Sequence, residues 1–233
     1  MLKQTQILDR FAARLASGEI CDASRLQFAA ASRVVSLKRD EQARLDESCD
    51  QLVFLGSGST KLVARASQDR EQVIAFHFEG DLVCVPARAR HSYQLVALRE
   101  TDIVAMPFDK VVELAGEQRE ILVSLLDAMR ASLARCREKA IALGRKTAPE
   151  RVASFLVDMA GRTGKIDGKA IILPLPMSRR DIADSLGITI ETVSRQLTKL
   201  RESGVIETVG RSQIKILDLT TLTEGAGFLS GAS

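Results

Sequence analysis

Apolar residues change their spacing twice along the chain, and the changes divide it. At the start, Ile7, Leu8, Phe11 and Leu15 recur at helical intervals, which predicts a short amphipathic helix. From about Arg33 to Pro107 the texture becomes short runs of Val, Leu and Phe separated by turn residues. "QLVFLGSGSTKLVARASQDREQVIAFHFEGDLVCVP" is punctuated by GSGS, SQDRE and EGD, and "YQLVAL" and "DIVAMP" follow. Short strands at this spacing predict a sandwich, barrel or roll. From Phe108 the spacing turns helical. Leu122, Leu126, Met129, Leu133, Cys136 and Ala140 lie 4, 3, 4, 3 and 4 apart, a heptad seam with Glu120, Arg130, Arg135 and Glu138 off it. Periodicity alone leaves two readings of that seam: a helix packed on its own β-domain, or a coiled coil joining two copies.

"GRKTAPERV" (Gly144–Val152) interrupts the helical pattern, with Pro149 suited to the first turn of a new helix. The hinge between domains is placed here. A helix "ERVASFLVDMA" follows, and "GRTGKIDGKAI" reads as a turn-rich link into "IILPLPM". Ser178 then opens a helix as a capping box with Asp181, and Ile182, Ala183 and Leu186 form its inner face. Gly187 makes the turn, Thr189 caps a second helix, and Val193, Leu197 and Leu200 face inward. The small Ala183, the turn-forming Gly187 and the locking Val193 have the spacing of a helix-turn-helix. On the outer face, Glu191, Ser194, Arg195 and Thr198 form a polar stripe near the start of the second helix, where a recognition helix touches base edges. Arginine can donate two bonds to guanine and glutamate can accept from cytosine. Ser178, Arg179, Arg180, Thr189, Thr192, Lys199 and Arg201 surround the stripe and suit phosphates. "GVIETVGRSQIKILD" reads as a hairpin wing with Arg211 near its tip, a further candidate for phosphate.

Charge sharpens this picture. Residues 144–233 hold 13 Lys+Arg against 10 Asp+Glu, while residues 1–143 hold 20 of each, so the net excess lies in the C-terminal part. The direction fits a nucleic-acid partner. No apolar run reaches the ~18 residues of a spanning helix, and "MLKQTQILDRF" lacks the apolar block of a signal peptide, so a cytoplasmic protein without a membrane partner is expected. Cys21, Cys49, Cys84 and Cys136 are scattered without C-x2-C spacing, which predicts reduced thiols rather than a zinc site or disulfide framework. Nothing in the chain has the pattern of a P-loop, a nucleophile elbow or paired catalytic carboxylates, so no enzyme is expected.

With these motifs the chain resembles the Crp/Fnr family of bacterial transcription regulators, closest to the Fnr/FixK branch. "EQVIAFHFEGDLV" (Glu71–Val83) and "LPMSRRDIADSLGITIETVSRQLTKLRESGVI" (Leu175–Ile206) carry the resemblance, with weaker likeness in "DIVAMPFDKV" and "APERVASFL". It implies an α+β fold: an N-terminal β-roll of the cyclic-nucleotide-binding jelly-roll type, a long dimerisation helix and a C-terminal winged helix-turn-helix. The expected domains are residues 1–107, 108–143 and 144–233. Glu191, Ser194 and Arg195 match the branch's E-x-x-S-R, which implies half-sites such as TTGAT-N4-ATCAA, read by a homodimer that recruits RNA polymerase at low-oxygen or respiratory promoters.

The resemblance departs at the sensor. Val85 stands where cyclic-AMP-binding members carry a glutamate, and His91-Ser92 where they carry Arg-Ser. The N-terminal cysteines that hold an iron–sulfur cluster in oxygen-sensing members are reduced to Cys21, and Val104 occupies the place of the central one. His77 and His91 are the only histidines, a thin supply for haem. No cofactor is therefore expected. The alternative is a ligand- or redox-gated regulator whose β-roll binds a small effector.

Overall fold

The structure is a computed structural model that describes residues 2–15, 22–67, 70–87, 91–210 and 212–228. The chain forms two compact units, Met1–Ala134 and Arg135–Ser233.

In the N-terminal unit, α1 (Leu2–Leu15) and α2 (Asp22–Ala31) precede seven strands: β1 (Arg33–Leu37), β2 (Gln51–Ser57), β3 (Ser59–Ser67), β4 (Arg70–Phe78), β5 (Leu82–Val85), β6 (Ser92–Ala97) and β7 (Thr101–Pro107). They form two antiparallel sheets, ordered β1-β7-β2-β5 and β4-β3-β6. β2 and β7 are buried along nearly their whole length. Successive strand residues point to opposite faces, and the two faces serve different cores. Val53, Leu55, Ile103 and Ala105 pack with Leu62 and Leu95 of the second sheet. Leu52, Phe54, Val104 and Met106 pack instead with α1, α2, α3 (Phe108–Glu117) and the start of α4 (Arg119–Arg145). Phe11 anchors this outer core, edge-on to Phe28 at 5.9 Å and stacked on Phe54 at 5.5 Å. The two-sheet roll expected from the sequence is present.

The helical stretch from Phe108 is two helices rather than one. α3 buries Val111 and Ala115, and the 27-residue α4 begins after Gln118, whose extended backbone breaks the run. In α4 the buried side chains are Ile121, Ser124, Leu125 and Ala128.

The C-terminal unit contains the end of α4 and α5 (Ala148–Thr163), whose capping box pairs Thr147 with Glu150. It continues through β8 (Lys165–Asp167), β9 (Ala170–Pro174), α6 (Arg179–Leu186), α7 (Ile190–Glu202), β10 (Ile206–Val209), β11 (Gln213–Ile216) and α8 (Leu219–Glu224). The four strands form one antiparallel sheet, β10-β11-β9-β8. The link read as turn-rich is thus a β8–β9 hairpin, and β9 pairs with the wing strand β11. Among the described residues, no helix is long and apolar enough to cross a membrane.

Lys139, in the last turns of α4, carries a titration signature. Burial pushes its ammonium down to about 8 from the ordinary 10.5, with Cys136 pulling slightly the other way. Between those values the unfolded chain holds a proton that the folded chain has released, so stability rises with pH from about 8 to about 10.5 through this group. A Tm series over this range is expected to show that rise in the native chain, and Lys139→Met to flatten it.

Candidate nucleic-acid interface

α6 is closed at its start by its own polar residues. The Ser178 hydroxyl accepts from the Asp181 amide at 3.1 Å and donates to Asp181 Oδ2 at 2.7 Å, and the Ser178 amide donates to the same oxygen at 2.8 Å. Two of the orphan donors of a helix start are so satisfied. The helix ends on Gly187, at φ 61° and ψ 40°, with its amide bonded to Ala183 O. A side chain there would be strained by the left-handed backbone and would meet Leu143 Cδ2 at 3.2 Å. The turn places Thr189 as the cap of α7, its hydroxyl accepting from the Thr192 amide at 3.2 Å.

α7 buries Val193 completely and Gln196 almost so, while Leu197 and Leu200 are only half-buried. The inner face therefore includes a polar residue that apolar periodicity does not mark. The opposite face carries exposed Glu191, Arg195 and Lys199, with half-buried Ser194 and Thr198 beside them. Arg179 and Arg180 are exposed at the start of α6. Among the described residues, none of these four cations is held in a salt bridge. They are available to an outside anion. Hydrogen bonds from its own backbone amide and from the Thr189 hydroxyl hold the Glu191 carboxyl below the usual range. It is ionised near neutral pH, an acceptor without a proton of its own. Thr192 is half-buried in the first turn. The wing strands β10 and β11 pair from Ile206↔Ile216 to Val209↔Gln213, whereas Arg211 lies outside the described residues.

All the heptad positions except Met129, which packs partly against the roll's core, fall on a face of α4 that the described residues leave exposed. Leu122, Leu126 and Leu133 are 45, 53 and 50% exposed. Met129 is half-buried, and Cys136 and Ala140 are exposed. The Cys136 thiol, on the same seam, is open in the single chain. α4 thus has two apolar faces, one used in the roll's core and one unused. A row of half-exposed leucines is an unusual surface for a lone chain.

In the roll, Val85 and His91-Ser92, expected from the resemblance to stand in place of a phosphate cassette, line one cleft of about 300 Å³. Asp46 and Glu47 are among its other lining residues, and among the described residues it presents no arginine or lysine. Those carboxylates oppose a phosphate. Cys84 is half-buried; burial, and then Asp50, push its thiol up, which makes it a poor nucleophile. Cys21 lies outside the described residues.

Comparison with known proteins meets this geometry. Residues 150–224 match the Crp-like helix-turn-helix domain. The nitrogen fixation regulation protein FixK of Rhizobium meliloti is 38% identical over 165 residues, 71% of this chain and 72% of that protein. The transcriptional activator protein anr of Pseudomonas aeruginosa is 31% identical over 173 residues, 73% of this chain and 70% of that protein. The structure of FixK2 from Bradyrhizobium japonicum superposes with a TM-score of 0.71 at 29% identity, covering 83% of this chain and 96% of that one.

Proposed function

We propose that this chain, which belongs to the FixK branch of the Crp/Fnr family of transcription regulators, acts as a homodimeric activator reading a TTGAT-N4-ATCAA-like palindrome. DNA-binding transcription regulation comes with the family. The finer reading rests on one observation: α7 turns Glu191, Ser194 and Arg195 outward on one stripe near its start. Arg195 donates to guanine O6 and N7 in the half-site, and Glu191 accepts from a base amine one turn away. Arg179, Arg180, Lys199 and the wing's Arg211 meet phosphates. Ser178, Thr189 and Thr192 flank the same backbone, but the Ser178 proton already goes to Asp181 and the Thr189 proton to Glu191, so a phosphate contact through either hydroxyl requires that bond to open.

The exposed leucine row on α4 supports the dimer. A symmetric pair closes it and presents two recognition helices to half-sites about one turn apart. The bound dimer works in the cytoplasm at promoters for low-oxygen or respiratory genes and recruits RNA polymerase; of this reading, the names of two relatives carry only the word activator.

A second reading has the roll's cleft behind it. An effector bound there would gate DNA binding by favouring one state of the dimer. The carboxylates favour a neutral or cationic molecule over a cyclic nucleotide.

A gel-shift titration on TTGAT-N4-ATCAA, with and without air and with no added ligand, separates the two. Tight binding in both atmospheres supports the first reading. Absence of preference over a scrambled site sinks it, and loss of binding in air alone points to a redox signal. Glu191→Gln is expected to leave Tm nearly unchanged yet alter base preference in a binding selection on randomised half-sites. An unchanged preference would assign Glu191 to the helix dipole alone.

A further inference from the structure

Within the C-terminal unit, one side chain ties the end of α4 to the helix-turn-helix. Arg151, in the first turn of α5, donates to three backbone carbonyls. Nε reaches Lys146 O at 2.9 Å, Nη2 reaches Leu143 O at 2.9 Å and Nη1 reaches Leu186 O at 3.0 Å. Leu143 lies in the last turn of α4, Lys146 directly follows that helix, and Leu186 is the last residue of α6. Terminal carbonyls of a helix lack intrahelical partners and carry the negative end of its dipole. A single cation therefore closes two helix ends at once and holds them at one separation. A second tie lies one turn earlier on α4, where Lys139 Nζ donates to Ser185 Oγ at 3.0 Å. Between the two, Leu143 fits against Gly187 so closely that a Cβ there would sit 3.2 Å from it. Residues 185–187, the last turn of α6 and its glycine, are thus braced on Lys139 and Leu143. These alternate along α4 with Cys136 and Ala140 of the leucine seam.

We infer that Arg151 is a positioning residue for site recognition, holding the recognition helix at a fixed place on the segment of α4 that carries the seam, and so selecting the half-site spacing that a dimer accepts. The inference rests on the palindrome reading above. Its physical content is leverage. α7 is locked to α6 by Gly187 and the buried Val193, so α6 cannot shift on α4 without carrying the base-reading stripe with it. One base-pair step is about 3.4 Å along DNA and about a tenth of a turn around it, so a shift of about 1.7 Å with a rotation of about 17° on each side changes the preferred spacer by one pair. Arg151 touches neither base nor phosphate in this role.

The test uses the full chain and a spacer series, TTGAT-N3, -N4, -N5 and -N6-ATCAA, with the unchanged protein, Arg151→Lys and Arg151→Gln. A lysine keeps the charge but cannot reproduce the three-way fork. The unchanged protein is expected to favour N4, and both variants to lose about tenfold of that advantage, at unchanged dimer state and unchanged binding to scrambled DNA. A variant that folds and dimerises but keeps the original spacer profile overturns the inference, and so does an equal loss at every spacer. If neither Arg151 variant folds, Lys139→Met decides on the same series: a flatter profile supports the brace and an unchanged one overturns it. Failure of the unchanged protein to prefer any spaced palindrome over scrambled DNA instead sinks the palindrome reading and takes this inference with it.

Discussion

Glutamate at both Leu126 and Leu133 is expected to yield a folded chain that no longer pairs. Both side chains are about half exposed, and neither belongs to the roll's core, so the substitutions remove little that the single chain uses. In the paired state each places a carboxylate in an apolar seam opposite its own copy, where a charge without a partner is strongly disfavoured. The effect on DNA is larger than on folding. A dimer on a palindrome holds its second half-site at a high local concentration, and losing that linkage weakens binding on the order of 100- to 10,000-fold. Light scattering after size exclusion measures the pairing and gel shift the binding. A double variant that remains dimeric at micromolar concentration would remove α4 as the interface. The same substitution at the buried Leu125 is expected to unfold the N-terminal unit instead.

Arg195→Ala is expected to remove the guanine preference in each half-site. A two-bond arginine–guanine pair carries about 1–3 kcal/mol of discrimination, so the ratio of palindrome to guanine-substituted site falls on the order of 10- to 100-fold per half-site. The side chain is exposed and nothing of the fold rests on it, so Tm stays put. Competition titrations at fixed salt read the ratio directly. An unchanged ratio beside a uniform loss on all DNA would recast Arg195 as a phosphate contact.

The helix-turn-helix was legible because its signals are local. Ser178 with Asp181, Gly187, and Thr189 before Ile190 each act within a few residues, and each appears with the bonding those residue types predict. The β-roll was legible as strands because β2 and β7 are apolar runs, although which residue serves which core follows only from what packs on each face. The missed elements lack such signals. α2, "DASRLQFAAA", has one deeply buried aromatic, Phe28, and little amphipathic contrast. β8, "KID", is exposed throughout and is a strand only because β9 pairs with it. α8 is a single short helix whose signal is the Asp218 cap. The break at Gln118 carries no proline to mark it, and α3 before it packs on β2 and β7. Arg151 sits in an ordinary first turn, and its three acceptors are backbone atoms from two other helices, which no motif encodes.

The double duty of β2 and β7 has a consequence for how such a chain can vary over generations. A strand at the surface has an outside, where almost any polar residue is tolerated, whereas Leu52, Val53, Phe54, Leu55, Ile103, Val104, Ala105 and Met106 have none. These stretches form an inherited frame closed to drift. New specificity in a descendant must be written where side chains face water, along the stripe of α7, in the cleft of the roll or on the open face of α4. A regulator built in this way can change its target, its signal or its partner without renegotiating its fold.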